Sequence, residues 1–351
     1  MNTAAKTFTA GMPVEVAKIE GELKKLWDQG GEVMTRASLI NLAVYSEAPG
    51  SLLRNTQVIS EITEDHACRA IVISAEPDAA EDRVEAWISA HCHVSRAGKK
   101  QICSEQLSFS LRGSFAKLLP NIVFSHLDSD LPLYLWWQGE FQDPMDPQLW
   151  SWVDRLVYDS RDWRDCDAQM RLVETAQNEA KQRIVLCDLN WTRLVQLRLA
   201  IAQFFDPPAT HQCITDISRL EIDYAPGFRS TAVLLAAWFA AQLQWQLVDT
   251  RFAQLRFAKP SGEAVEAALT ERDGEVISRC VLFSGRTELR VSHAPDADLL
   301  DVSAHSGSQQ RMHQLMPAGS DEPVRLMSEE LMRGGPHHVY LRALNLVRKF
   351  A

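Results

Sequence analysis

No Cys-x-x-Cys pair occurs in this chain of 351 residues, although it carries seven cysteines: Cys68, Cys92, Cys103, Cys166, Cys187, Cys213 and Cys280. An odd, scattered set excludes a zinc knuckle or a disulfide framework as the organising device. Excess basic charge is missing too, since 36 Lys and Arg stand against 46 Asp and Glu, a net charge of -10. Binding a phosphate backbone requires a basic face, so nucleic acid is excluded as the main partner. The most apolar run, Ala232 to Ala241, falls well short of the roughly 20 residues that span a bilayer. Met1 to Gly11 has no apolar stretch of the kind a signal peptide needs. The chain is therefore expected in the cytoplasm, without membrane contact.

The glycine patterns that cradle phosphates are also absent. Gly30-Gly31 and Gly334-Gly335 are isolated pairs without the spacing of a dinucleotide fingerprint or a Walker loop. Neither a Gly-x-Ser-x-Gly elbow nor a His-Glu-x-x-His helix is present. These absences lower an enzymatic reading without excluding sites assembled from distant residues. No cofactor and no resident metal are expected.

What is present reads as an α/β chain of two domains, because 351 residues exceed the size at which one core keeps growing. Val16, Ile19, Leu23, Leu26 and Trp27 form one stripe of an amphipathic helix over Pro13 to Trp27. A strand at Ala37 to Ser46, a helix near Leu52 to Ile62 and a strand at Arg69 to Ala75 make a unit with a right-handed crossover. Val84 to Ser95 and Lys99 to Leu111 alternate about Ala97-Gly98, which predicts a hairpin with Cys92 opposite Cys103. A helix from Ser114 to His126 leads to the strand Leu133 to Trp137. A helix over Asp146 to Trp152, a strand at Arg155 to Asp159, an exposed helix over Asp165 to Lys181 and a short strand at Ile184 to Cys187 follow. A helix from Trp191 to Phe205 then stops at Asp206-Pro207-Pro208. That stop sets the expected boundary between residues 1–206 and 207–351. The first domain is expected to be a doubly wound, mostly parallel sheet with the inserted hairpin. The second is expected to be α+β: a strand at Cys213 to Tyr224, a helix at Arg229 to Gln244 and an antiparallel meander over Trp245 to His293. A long loop at 294–321 and C-terminal helices from Ser328 and Pro336 complete it.

Two groups of residues stand out as candidate contacts. Ten tryptophans include Trp136 and Trp137, neighbours on a strand whose rings leave on opposite faces, and Trp150 and Trp152, about 200° apart on a helix. One of the latter two is expected near the surface, where tryptophan favours partner contacts; core packing is the plainer role. The second group lies at strand ends, where open parallel sheets bind ligands. There Asp159-Ser160-Arg161 stands beside Asn190, Trp191 and Arg193, a corner suited to a small anion or a partner carboxylate. Helix capping uses the same residue types and is the expected role of Asp188 and Asn190. His91 and His93 share one strand face around Cys92, which fits an ordinary half-exposed strand better than a metal site lacking further ligands. Cys92 and Cys103 admit a switchable disulfide, but buried thiols are the expected state in a reducing cytosol. The acidic run from Glu76 to Glu85 lacks calcium-loop spacing and reads as a solvated loop.

Several segments in the same order resemble one family. They are Gln101 to Gln106, Asp130 to Trp137, Asp154 to Ser160 and Asp188 to Leu194, with Phe205-Asp206 and Leu234 to Trp238 adding to them. Together they resemble the glucose-6-phosphate dehydrogenase assembly protein family, usually called OpcA. The resemblance implies a non-catalytic partner of that dehydrogenase, an assembly factor or allosteric activator in a hetero-oligomer. The ten candidates (Trp136, Trp137, Trp150, Trp152, Asp159, Ser160, Arg161, Asn190, Trp191 and Arg193) would then contribute to the contact surface. The alternative is an enzyme or sensor that binds a phosphosugar or nucleotide at the strand-end crevice.

Overall fold

Short runs rich in β-branched and aromatic residues form strands that gather into two sheets. A computed structural model describes residues 10–30, 34–94, 101–142, 147–180, 184–251, 254–294, 297–307 and 309–349. The chain divides into two units. The first comprises Met1–Tyr158, Gln169–Cys187 and Pro323–Gly335, and the second Asp159–Ala168, Asp188–Glu322 and Pro336–Ala351. The division lies elsewhere than a single boundary at Asp206, because the chain passes from one unit to the other five times.

Nine strands make the first sheet: β1 (Met12–Val14), β2 (Met34–Arg36), β3 (Asn41–Ser46), β4 (Arg69–Glu76), β5 (Arg83–Val94), β6 (Gln101–Arg112), β7 (Leu133–Gln138), β8 (Arg155–Tyr158) and β9 (Val185–Asp188). Their order is β1-β5-β6-β4-β3-β7-β8-β9, with β2 pairing β6. β6, β4, β3, β7 and β8 run parallel. All six residues of β3 are buried, as a parallel strand covered on both faces requires. The helix Ser51–Ile62 connects β3 to β4 as expected. It packs against the helix Pro323–Met332, whose Leu326 and Met327 are buried. The hairpin β5–β6 has the predicted register, with Cys92 opposite Cys103; its turn lies outside the described residues. Two expected helices differ. The first begins only at Ile19, after β1 has paired along β5 and a 3-10 turn has formed over Val16–Lys18. The Ser114 to His126 segment breaks into short turns, because Pro120 cannot continue a helix from before it.

The second unit holds eight strands: β10 (Ile217–Tyr224), β11 (Gln246–Arg251), β12 (Gln254–Ala258), β13 (Ala264–Glu271), β14 (Ile277–Ser284), β15 (Thr287–His293), β16 (Leu299–Ser306) and β17 (Gln309–Pro317). Their order is β11-β12-β13-β10-β14-β15-β16-β17, and only β10 and β13 pair in parallel. On one face Leu255, Ala267, Leu220, Leu282, Leu289 and Ala304 lie in register and are buried. The other face carries ion pairs such as Arg279 to Asp223 at 2.8 Å and Arg279 to Glu221 at 3.2 Å. The helix Arg229–Leu243 is buried from Thr231 through Ala240, which fits its apolar composition. It packs against the helix His338–Val347.

The expected loop at 294–321 is a correction: it contains the hairpin β16–β17. Leu300, Val302 and Ala304 are buried on one face and alternate with Asp301, Ser303 and His305, of which Ser303 is buried as well. Within the expected meander, the stretch from Trp245 to Phe257 holds two strands, β11 and β12. The architecture is thus mixed α/β, with a parallel-rich sheet in one unit and a mostly antiparallel sheet in the other. Among the described residues, no helix is long and apolar enough to cross a membrane.

Candidate functional site

The second unit assembles most of the strand-end residues. Asp159 accepts a hydrogen bond from the Arg161 backbone N–H at 3.1 Å and so starts the turn Ser160–Asp162. Asp188 does the same for the short helix Leu189–Thr192, accepting from the Asn190 N–H at 2.9 Å. Asp188 is also the centre of a network. Its carboxylate accepts from the Ser160 N–H at 3.0 Å and from the Ser160 hydroxyl at 2.6 Å. Asn190 donates to Ser160 Oγ at 3.2 Å, while its carbonyl oxygen accepts from the Thr231 hydroxyl at 2.6 Å and from Arg193 Nη1 at 3.3 Å.

Arg193 neutralises this cluster. Its guanidinium holds Asp159 through two bonds, 3.2 Å and 2.7 Å, and also donates to Asp321. Only 3% of the side chain is exposed. Arg193 and Arg161 both lie over the Phe228 ring, at 5.7 Å and 5.1 Å from its centre. Burial, reinforced by the neighbouring Asp159 charge, pushes the Asp188 carboxyl up to about 7 against the opposing bonds from Ser160 and Asn190. Burial therefore favours the protonated form of this acid.

A cleft of about 800 Å³ opens in the same unit. Arg161, Arg164, Arg229 and Arg251 line it with Asp165 and Glu271, and Trp163, Leu234 and Leu255 give it an apolar part. Cys166 also lines it. Burial pushes that thiol up to about 12, so it is protonated at neutral pH and no nucleophile.

Asp159, Ser160, Arg161, Asn190 and Arg193 therefore come together, as internal partners more than as open contacts. Trp191 sits next to them but is 3% exposed, with the Arg198 guanidinium 3.3 Å from its ring centre and Tyr340 at 5.6 Å. In the first unit Trp136, Trp137 and Trp150 are core residues, 5%, 8% and 1% exposed. Trp137 stacks on Tyr45 at 4.1 Å and meets Trp150 at 6.2 Å. Their placement as surface contacts is corrected by this burial. Trp152, at 47%, is the exposed member of its pair, and it lies in the turn after the helix Pro147–Trp150, which stops short of the expected end. Cys92 and Cys103 are joined in a disulfide with Cα atoms 4.1 Å apart, in place of the expected free thiols. His91 bonds Gln106 at 2.9 Å, and neither His91 nor His93 joins a group of three ligand atoms among the described residues. Three members of the network were missed. Asp321 fell in the presumed loop, and Ser230, whose hydroxyl accepts from Asn190 at 3.5 Å and donates to the Arg161 carbonyl at 3.2 Å, at a helix start, whereas Thr231, a hydroxyl beginning an apolar helix, was a usable signal.

Fold and site together define a two-sheet α/β protein with an internally neutralised polar network and an arginine-lined cleft. The chain belongs to the glucose-6-phosphate dehydrogenase assembly protein family. Residues 59–175 match the model described as the glucose-6-phosphate dehydrogenase subunit N-terminal domain, and residues 184–344 the corresponding C-terminal domain. A Synechocystis sp. protein called "Putative OxPP cycle protein OpcA" is 24% identical over 339 residues, covering 90% of this chain and 69% of the relative. A Nostoc punctiforme protein of the same description is 24% identical over 320 residues, covering 83% and 66%. The chain thus spans about two thirds of the length of these relatives. Among solved structures, an aldose-aldose oxidoreductase from Caulobacter crescentus is similar at TM-score 0.47 and 10% identity, covering 89% of this chain and 96% of its own. A dehydrogenase from Clostridium difficile gives 0.45 and 8%, with 88% and 98% covered. Likeness at that level says nothing of chemistry.

Proposed function

We propose that this protein is a non-catalytic regulatory and assembly partner of glucose-6-phosphate dehydrogenase in the cytoplasm, shifting it toward its active oligomeric state. The observation that carries this reading is the match of both family halves, in order, over residues 59–175 and 184–344. The polar groups at the strand ends agree with it. Asp159, Asp188, Asn190 and Arg193 satisfy one another in a buried network, which suits a structural corner better than a reacting one. A partner acts by linkage: binding the active state more tightly than the inactive one shifts the equilibrium by that difference. Tenfold activation requires about 1.4 kcal/mol.

The test is titration of this protein into the dehydrogenase of the same organism, following NADPH production across glucose 6-phosphate concentrations. A saturable change in KM or kcat, with co-elution on a sizing column, is expected. No kinetic change and no co-elution would remove the proposed role.

A further inference from the structure

The cleft in the second unit has a lining at odds with the chain that builds it. The chain carries a net charge of -10, yet four arginines face this cleft against two acids. They come from separate segments: Arg161 and Arg164 follow β8, Arg229 opens the long helix, and Arg251 ends β11. Guanidiniums gathered from distant parts of a chain repel one another unless an anion or acid sits among them. Their planar forks match phosphate oxygens. We propose that this cleft binds a phosphorylated small metabolite, with its phosphate held by the arginines and its organic body against the apolar part.

The start of the helix Arg229–Leu243 adds to the arginine set. Gly227, Arg229 and Ser230 all line the cleft, and Phe228 at the helix start provides no side-chain cap. The first-turn N–H groups of a helix start favour negative charge. Gly227 has φ +83°, and nothing lies within 4 Å of where a Cβ would project. Arg161 is engaged with Asp162 at 2.9 Å and Asp321 at 3.7 Å, Arg251 with Asp249 at 2.9 Å, and Arg164 and Arg229 have interactions of their own. Such pairs are weak at the surface, so a dianion competes with them. Trp163, Val233, Leu234 and Leu255 give the organic part an apolar wall, and Thr250 offers it a hydroxyl. A volume of about 800 Å³ accommodates a whole metabolite. Protonated Cys166 adds no charge against the anion. This inference concerns ligand binding by the isolated chain and stands apart from contact with the dehydrogenase.

Calorimetry on the full chain at low salt tests it, with glucose 6-phosphate, NADP+, ATP and inorganic phosphate as separate probes. At least one organic phosphate is expected to bind more tightly than inorganic phosphate, and the probe series separates sugar from nucleotide sources. Arg229→Gln and Arg251→Gln are each expected to weaken that binding about tenfold, the loss of one charged hydrogen-bonding group. Both side chains are exposed, Arg251 at 83%, so the variants keep the fold. Circular dichroism checks that they do. The proposal is overturned if no organic phosphate binds better than inorganic phosphate, or if both variants bind as the parent does.

Discussion

Arg193 sits between the carboxylates of Asp159 and Asp321 with 3% of its side chain in contact with water. Replacing it by alanine strands Asp159 without its closest cation and leaves a void beside Asn190. Breaking such a buried pair typically costs about 3–5 kcal/mol. Urea unfolding of Arg193→Ala should show a loss of that order, and a change under about 1 kcal/mol would mean the pair is not formed. Asp188 makes a different prediction. Its carboxyl titrates near 7 in the folded chain and near 3.8 when unfolded. Between those values the folded state holds the extra proton, so stability falls as pH rises from about 4 to about 7. The whole span is worth at most about 4 kcal/mol. Asp188→Asn should flatten that slope, as measured by thermal melts at pH 5 and pH 7.5. Position was legible at this scale and burial was not. Adjacent tryptophans on a strand had to face opposite ways, and both Trp136 and Trp137 do lie in the core. Nothing in a sequence window records that both faces of that strand are covered.

The hairpin β5–β6 is the element most fully legible in advance, because strict alternation about a short turn fixes register to the residue. Its disulfide between Cys92 and Cys103 follows from that register, although the cytosolic expectation pointed the other way. Alkylation of the oxidised, unfolded protein should therefore label Cys68, Cys166, Cys187, Cys213 and Cys280 only, with all seven labelled after reduction. Labelling of all seven without reductant would show the bridge to be absent. The hairpin β16–β17 was illegible for the opposite reason. Asp301, Ser303 and His305 alternate with buried Leu300, Val302 and Ala304, and such residue types are common in loops, so composition hid an alternation of period two. Likewise the continuous helix expected from Trp191 is interrupted at Arg193-Leu194, between Leu189–Thr192 and Val195–Phe204. The demand that Arg193 reach Asp159 and Asp321 is tertiary, and no local propensity encodes it.

For the molecule as a whole, the exposed aromatic to watch is Trp152. At 47% exposure it packs little, so Trp152→Ala should leave stability within about 0.5 kcal/mol of the parent. If it contributes to the dehydrogenase contact, affinity measured by sizing or calorimetry should fall by about tenfold or more, as at other aromatic hot spots. An unchanged affinity would place the contact elsewhere. The five passages of the chain between its units bear on synthesis in time. The helix Pro323–Met332 belongs to the first unit and covers the helix Ser51–Ile62, which was translated more than 250 residues before it. A nascent chain grows at roughly 5–20 residues per second. For many seconds, then, the first unit lacks one of its helices and leaves the helix Ser51–Ile62 uncovered. Its completion waits until the segment Pro323–Met332 has been made.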